Sequence, residues 1–138
     1  CLGNIPGCAC KGSPYSAIIP HTGGIAPFQW FLHSGTIPWG LLLNQDTGEI
    51  SGTPILEGIY NFTIRIFAAD GSYMQKPYQM TILTITTTVL DAYSIGVPYS
   101  FQLVAAGGSG SYAWKITSGS LPAGLTMDST GLISGIPV

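Results

Sequence analysis

The chain has 138 residues, a formal net charge of −2 and only four Lys and Arg. That length holds one or two small domains, and so few cations leave no basic surface for nucleic acid. No run of 18 apolar residues is present, so no helix spans a membrane, and charged residues are 7% against roughly 25% in an ordinary soluble domain.

Nineteen Gly and ten Pro, set among many Thr, Ser, Ile and Tyr, point to short strands joined by turns. A surface this poor in charge is expected to be covered by copies of itself or by glycans. The chain opens on Cys1 with no initiator Met and no visible signal peptide, which points to a removed upstream segment and an exported protein. Residues 1–12 form a Cys-rich segment. Cys1 is expected to bridge Cys8 or Cys10, since those two lie too close together for an easy bridge. The odd thiol is then left for a partner chain. A Cys at the mature N-terminus also fits a lipid-anchored protein. Without a C-x₂-C spacing or a nearby His, the three thiols make a poor zinc set.

A first copy of a repeated unit fills residues 13–84. Within it, Gly58–Ile66 and Tyr78–Leu83 read as strands with a turn at Asp70-Gly71-Ser72. Alternation places Tyr60, Phe62, Ile64 and Ile66 on one face. Ile85–Leu90 reads as a Thr/Ile/Val-rich strand leading into a second copy, residues 85–138. There Tyr112, Trp114 and Ile116 alternate with Ala113, Lys115 and Thr117, again as a strand expects. The copies align at an offset of 84 from Pro14 to Pro98 and, after a one-residue deletion, of 83 from Pro54 to Pro137. Trp30 matches Trp114, Gly40-Leu41 matches Gly124-Leu125, and Ile50-Ser51-Gly52 matches Ile133-Ser134-Gly135. Gly40, Gly48 and Gly52 fit tight turns, Pro38 and Pro54 stiffen loops, and Leu41, Leu43 and Ile50 plug the core. No segment carries a sustained helical period. The fold class is all-β, as tandem immunoglobulin- or cadherin-like Greek-key sandwiches, the second incomplete.

Ser118-Gly119-Ser120-Leu121-Pro122-Ala123-Gly124-Leu125-Thr126-Met127-Asp128, followed by Thr130-Gly131-Leu132-Ile133-Ser134-Gly135-Ile136-Pro137, resembles the bacterial "putative Ig" module. Copy one carries the same pattern from Ser34 to Leu41 and from Thr47 to Pro54. The resemblance implies a cadherin-like sandwich, common in tandem arrays on exported and surface proteins, with no general catalytic site. No functional residue transfers by it.

Motifs of catalysis are absent. His21 and His33 sit in no metal-binding spacing, and copy two has Ala105 and Thr117 at their places. The six acids are scattered, with no D-x-D cluster for calcium. Gly107-Gly108-Ser109-Gly110-Ser111 is followed by neither Lys nor helix, so it reads as a hairpin loop. No cofactor is expected. Asn61-Phe62-Thr63 is an N-glycosylation sequon on the face opposite the core side.

Matched positions differ in polarity. Copy one has Ile25, Phe31, Trp39 and Leu42 where copy two has Ser109, Lys115, Ala123 and Thr126. Those four residues are the expected interface. Copy two stops at Val138, opposite Ile55, without the last two strands of copy one. More of the same chain, or a strand from a neighbouring subunit, would complete it. The expected function is a non-catalytic extracellular structural protein, a fibre subunit whose partners are copies of itself. The alternative is an adhesion or carbohydrate-binding module, with Trp39 and Tyr73 as contacts for a glycan, or a spacer, within a larger secreted or surface protein.

Overall fold

The computed structural model describes residues 8–138. It divides into two units, Cys1–Thr84 and Ile85–Val138. Every element among the described residues is a strand.

Unit 1 is a sandwich of two sheets. One has the order β1 (Cys8–Cys10), β7 (Tyr73–Ile85), β6 (Gly58–Phe67), β3 (Gln29–Gly35), and the other the order β2 (Tyr15–Ile18), β5 (Glu49–Gly52), β4 (Leu41–Leu43). The β6–β7 hairpin is antiparallel from Phe67↔Tyr73 to Gly58↔Ile82, whereas β1 runs parallel to β7. Alternation decides what is buried. Phe62, Ile64 and Ile66 of β6 and Met80 and Ile82 of β7 point inward, where they meet Trp30, Leu41 and Ile50. Pro38 and Pro54 are themselves fully buried, so they pack the core as well as stiffen the loops. At Gly40 and Gly52 the backbones of two turns touch, and a Cβ would run into the Thr53 or the Gly40 carbonyl.

Unit 2 has one three-stranded sheet, of order β10 (Leu125–Met127), β11 (Leu132–Gly135), β8 (Tyr99–Gln102), and a short β9 (Ala105–Ala106). Several of its turn bonds repeat those of unit 1. Leu41 N–H donates to the Pro38 carbonyl at 3.0 Å, as Leu125 does to Pro122 at 3.1 Å. Ile19 donates to Gly48 and Leu103 to Gly131, both at 2.9 Å, and Gly12 to Pro54 and Gly96 to Pro137, both at 2.8 Å.

Two expected strands are not formed. Residues 86–90 and 112–117 join no ladder. In unit 1 the matching segment, β3, exists because it pairs with β6. No counterpart of β6 or β7 stands among residues 85–138, so an alternating sequence has nothing to hydrogen-bond to. The place of β1 falls at residues 92–94, not 85–90. Val97 donates to the Ser94 carbonyl as Ser13 donates to that of Cys10, both at 3.2 Å.

Candidate functional site

The first candidate is the open side of unit 2. Trp114 keeps the backbone bond of its counterpart, donating to the Ser129 carbonyl at 3.0 Å where Trp30 donates to Gln45 at 2.8 Å. Its ring, though, is half-exposed, whereas Trp30 is 4% exposed. Ile133 is buried like Ile50, but Leu125, unlike its counterpart Leu41, is only half-buried. The gap is a mostly apolar groove of about 280 Å³ whose lining includes Val89, Leu90, Leu103, Ile116, Leu121, Met127 and the buried Ile133, with Thr87 and Thr88 as its polar members. By the repeat, Leu103, Leu121, Met127 and Ile133 match Ile19, Ile37, Leu43 and Ile50, which lie in or against the core of unit 1.

The second candidate is the surface of unit 1. Ile25, Phe31, Trp39 and Leu42 are 61%, 37%, 62% and 78% exposed. They do not share a face. Phe31 alternates with Trp30 and so lies on the outside of the β1-β7-β6-β3 sheet, against Phe67 at 5.8 Å between ring centroids. Leu42 alternates with Leu41 and lies outside the opposite sheet, beside Ser51. Trp39 sits in the turn before β4, where its carbonyl accepts the Ile55 N–H at 2.9 Å. The Ile25 carbonyl accepts from Ala69, next to the β6–β7 turn, at 2.9 Å.

The exposed Asn61 shares the outer face of β6 with Thr63 and Arg65, and its Oδ1 accepts a hydrogen bond from Gln79 Nε2 at 3.0 Å. Cys8 and Cys10 flank buried Ala9 on β1; burial first, then Cys10 beside it, pushes the Cys8 thiol up. The expected bridge involves Cys1, which lies outside the described residues.

Sequence reasoning missed a cluster on that same outer face. Arg65 donates from Nε and Nη2 to Gln75 Oε1, at 3.3 and 2.8 Å, and Nη2 lies 3.2 Å from His33 Nε2. The guanidinium stands 4.6 Å from the centroid of the Tyr73 ring. In the sequence His33 stands in no metal-binding spacing and has no histidine counterpart in copy two. The signal was present in the period of two along β6 and β7, which puts Arg65 level with Gln75, but it required the register between them. His21 packs instead against Phe28 and Trp30, at 4.3 and 5.4 Å between centroids.

Among the described residues no three His, Cys, Asp or Glu converge as a metal site, and no helix is long and apolar enough to cross a membrane. A family model described as "Putative Ig domain" matches residues 8–83 and again 81–138. No curated protein matches the chain. Among solved structures, the chain is similar to a putative α-galactosidase/melibiase from Bacteroides fragilis, with 26% identity over 57% of this chain and 16% of that one, TM-score 0.48. It is also similar to a second putative α-galactosidase of that organism, with 32% identity over the same shares, TM-score 0.46. The chain thus spans about a sixth of those two proteins. Protocadherin gamma B2 extracellular cadherin domains 3–6 align over 99% of this chain and 42% of theirs, at 11% identity and TM-score 0.42.

Proposed function

The chain belongs to the Putative Ig domain family, in two tandem copies, and we propose that it is a non-catalytic structural subunit of an extracellular fibre. The observation that carries this reading is the groove of unit 2. Leu103, Ile116, Leu121 and Met127 line it, and the backbone of residues 112–117 beside it has no strand partner among the described residues. A strand laid there by a neighbouring copy supplies the ladder that β6 gives β3 and covers the exposed core, so assembly proceeds by strand addition. Head-to-tail repetition of such a contact makes an open filament, not a closed ring. The low charge of the chain agrees with a surface that is covered by its own copies.

Sedimentation velocity and electron microscopy of the 138-residue chain test this. Concentration-dependent growth into filaments is expected, and a peptide with the sequence of residues 58–67 should block it by occupying the groove. A monomer across the micromolar range, or growth unaffected by Leu103→Asp in the groove, overturns the proposal.

A further inference from the structure

The outer face of the large sheet of unit 1 carries a cation, Arg65, with no counter-charge among the described residues. Strand register sets Phe31 of β3, Arg65 and Phe67 of β6, and Tyr73 and Gln75 of β7 side by side, with His33 at a bulge in β3. The ion pair Lys11–Glu57, at 2.7 Å, lies elsewhere, and no described carboxylate is within ion-pair distance of Arg65. A guanidinium only donates, so His33 Nε2 accepts from it. Gln75 and His33 occupy Nε and Nη2. Nη1 donates to no described residue and keeps both its N–H groups. The side chain is therefore held in one pose by neutral partners while part of its donor fork stays unused.

The surroundings of the fork narrow what it fits. β6 lies between β3 and β7, so its backbone is already paired, and a peptide cannot bind there by strand addition. What the face offers is an anion clamp beside aromatic rings. Phe31, Phe67 and Tyr73 form a row with centroids 5.8 and 5.6 Å apart, and Tyr73, at its end, is 60% exposed. Planar guanidinium groups match carboxylates, and aromatic rings stack on the flat C–H face of a sugar.

We propose that this face binds a carboxylate-bearing polysaccharide of the uronate type. Arg65 clamps the carboxylate, the sugar packs against the part of Tyr73 left exposed beside the guanidinium that stands 4.6 Å from its ring centroid, and Gln75 and His33 are positioning residues that hold the guanidinium. The inference is independent of filament assembly, because it uses none of the unit 2 groove.

Calorimetric titration of the full chain tests it with three probes: an oligogalacturonate, a neutral oligogalactan of the same length, and a poly-glutamate peptide. Saturable binding is expected for the oligogalacturonate alone. It should weaken at least tenfold in Arg65→Gln and in Tyr73→Ala, and also on raising the salt to 1 M. Arg65→Lys keeps the charge but loses the fork, so a loss nearly as large as that of Arg65→Gln is expected. Tyr73 is exposed enough that its replacement leaves the core intact, which keeps a folded variant available if an Arg65 variant fails to fold. Absence of oligogalacturonate binding, equal binding of the neutral oligomer, equal binding of poly-glutamate, or full binding by Tyr73→Ala or Arg65→Gln each overturns the proposal.

Discussion

Replacing Gly48 by Ala separates backbone strain from packing in unit 1. Gly48 has φ +69°, and a Cβ there would lie 2.5 Å from Cε2 and 2.6 Å from Nε1 of the buried Trp30 ring. Gly71, in the β6–β7 turn of the same unit, has φ +80° with nothing within 4 Å of its Cβ position. An alanine at either site must hold a left-handed conformation, at a cost of roughly 1–2 kcal/mol. At Gly71 that is the whole effect. At Gly48 the Trp30 ring must also shift inside a packed core, which costs about 1–3 kcal/mol more. We expect about 1 kcal/mol for Gly71→Ala and about 3 kcal/mol for Gly48→Ala, the midpoint falling about 4–8 °C per kcal/mol in a domain of this size. Calorimetry of the full chain reads both on the same unit 1 transition. Gly131→Ala is the control in unit 2. Its Cβ would lie 2.7 Å from Trp114 Cδ1, but that ring is half-exposed and can swing aside, so the backbone cost alone should remain. If Gly48→Ala costs no more than Gly71→Ala, Trp30 is not pinned over the turn and the reasoning fails.

Unit 2 should lose stability in acid through Asp128. The Thr130 hydroxyl first, then the Leu132 amide, holds its carboxyl below the usual range, so its contribution is complete above pH ~4 and is lost as pH falls through the lowered value. Asn44 fills the same place in unit 1, where its Oδ1 accepts from the Asp46 and Thr47 amides at 2.9 and 3.1 Å. Asp128→Asn should therefore keep the turn and flatten the acid limb of the unit 2 transition between pH 2 and 6; an unchanged limb counts against the assignment. Met80→Ala removes a fully buried side chain and should destabilise unit 1 by about 2–5 kcal/mol in urea titration. Iodide should quench single-tryptophan variants in the order Trp39, Trp114, Trp30. The 58–67 peptide should shield Trp114 alone.

The half of each module that could be read in the sequence is the half held by local rules. The Trp30/Phe31 and Leu41/Leu42 alternations give the burial of each pair directly, because a strand has only two faces. The repeat with Pro and Gly at fixed offsets gives the turns, whose hydrogen bonds recur in both units. Strand existence at 112–117 could not be read this way. Tyr112, Trp114 and Ile116 alternate as well as Trp30 and Leu32 do, yet a strand is a relation to a partner, and β6 is the partner that makes β3 one. The Arg65 cluster was hidden for the same reason. Phe31, Arg65, Tyr73 and Gln75 are brought together by register between three strands, and no local pattern announces it.

The parallel contact of β1 with β7 has a mechanical consequence. Cys8, Ala9 and Cys10 pair with Thr81, Ile82 and Leu83, and Lys11 N–H adds a 2.8 Å bond to the Leu83 carbonyl. The first and last strands of unit 1 thus run alongside each other in the same direction. Tension applied through the two ends of the unit pulls β1 and β7 past one another, loading their hydrogen bonds together in shear rather than unzipping them one by one. Residues 92–94 have no such strand beside them among the described residues. A strand seated alongside residues 92–94 would load unit 2 in shear in the same way.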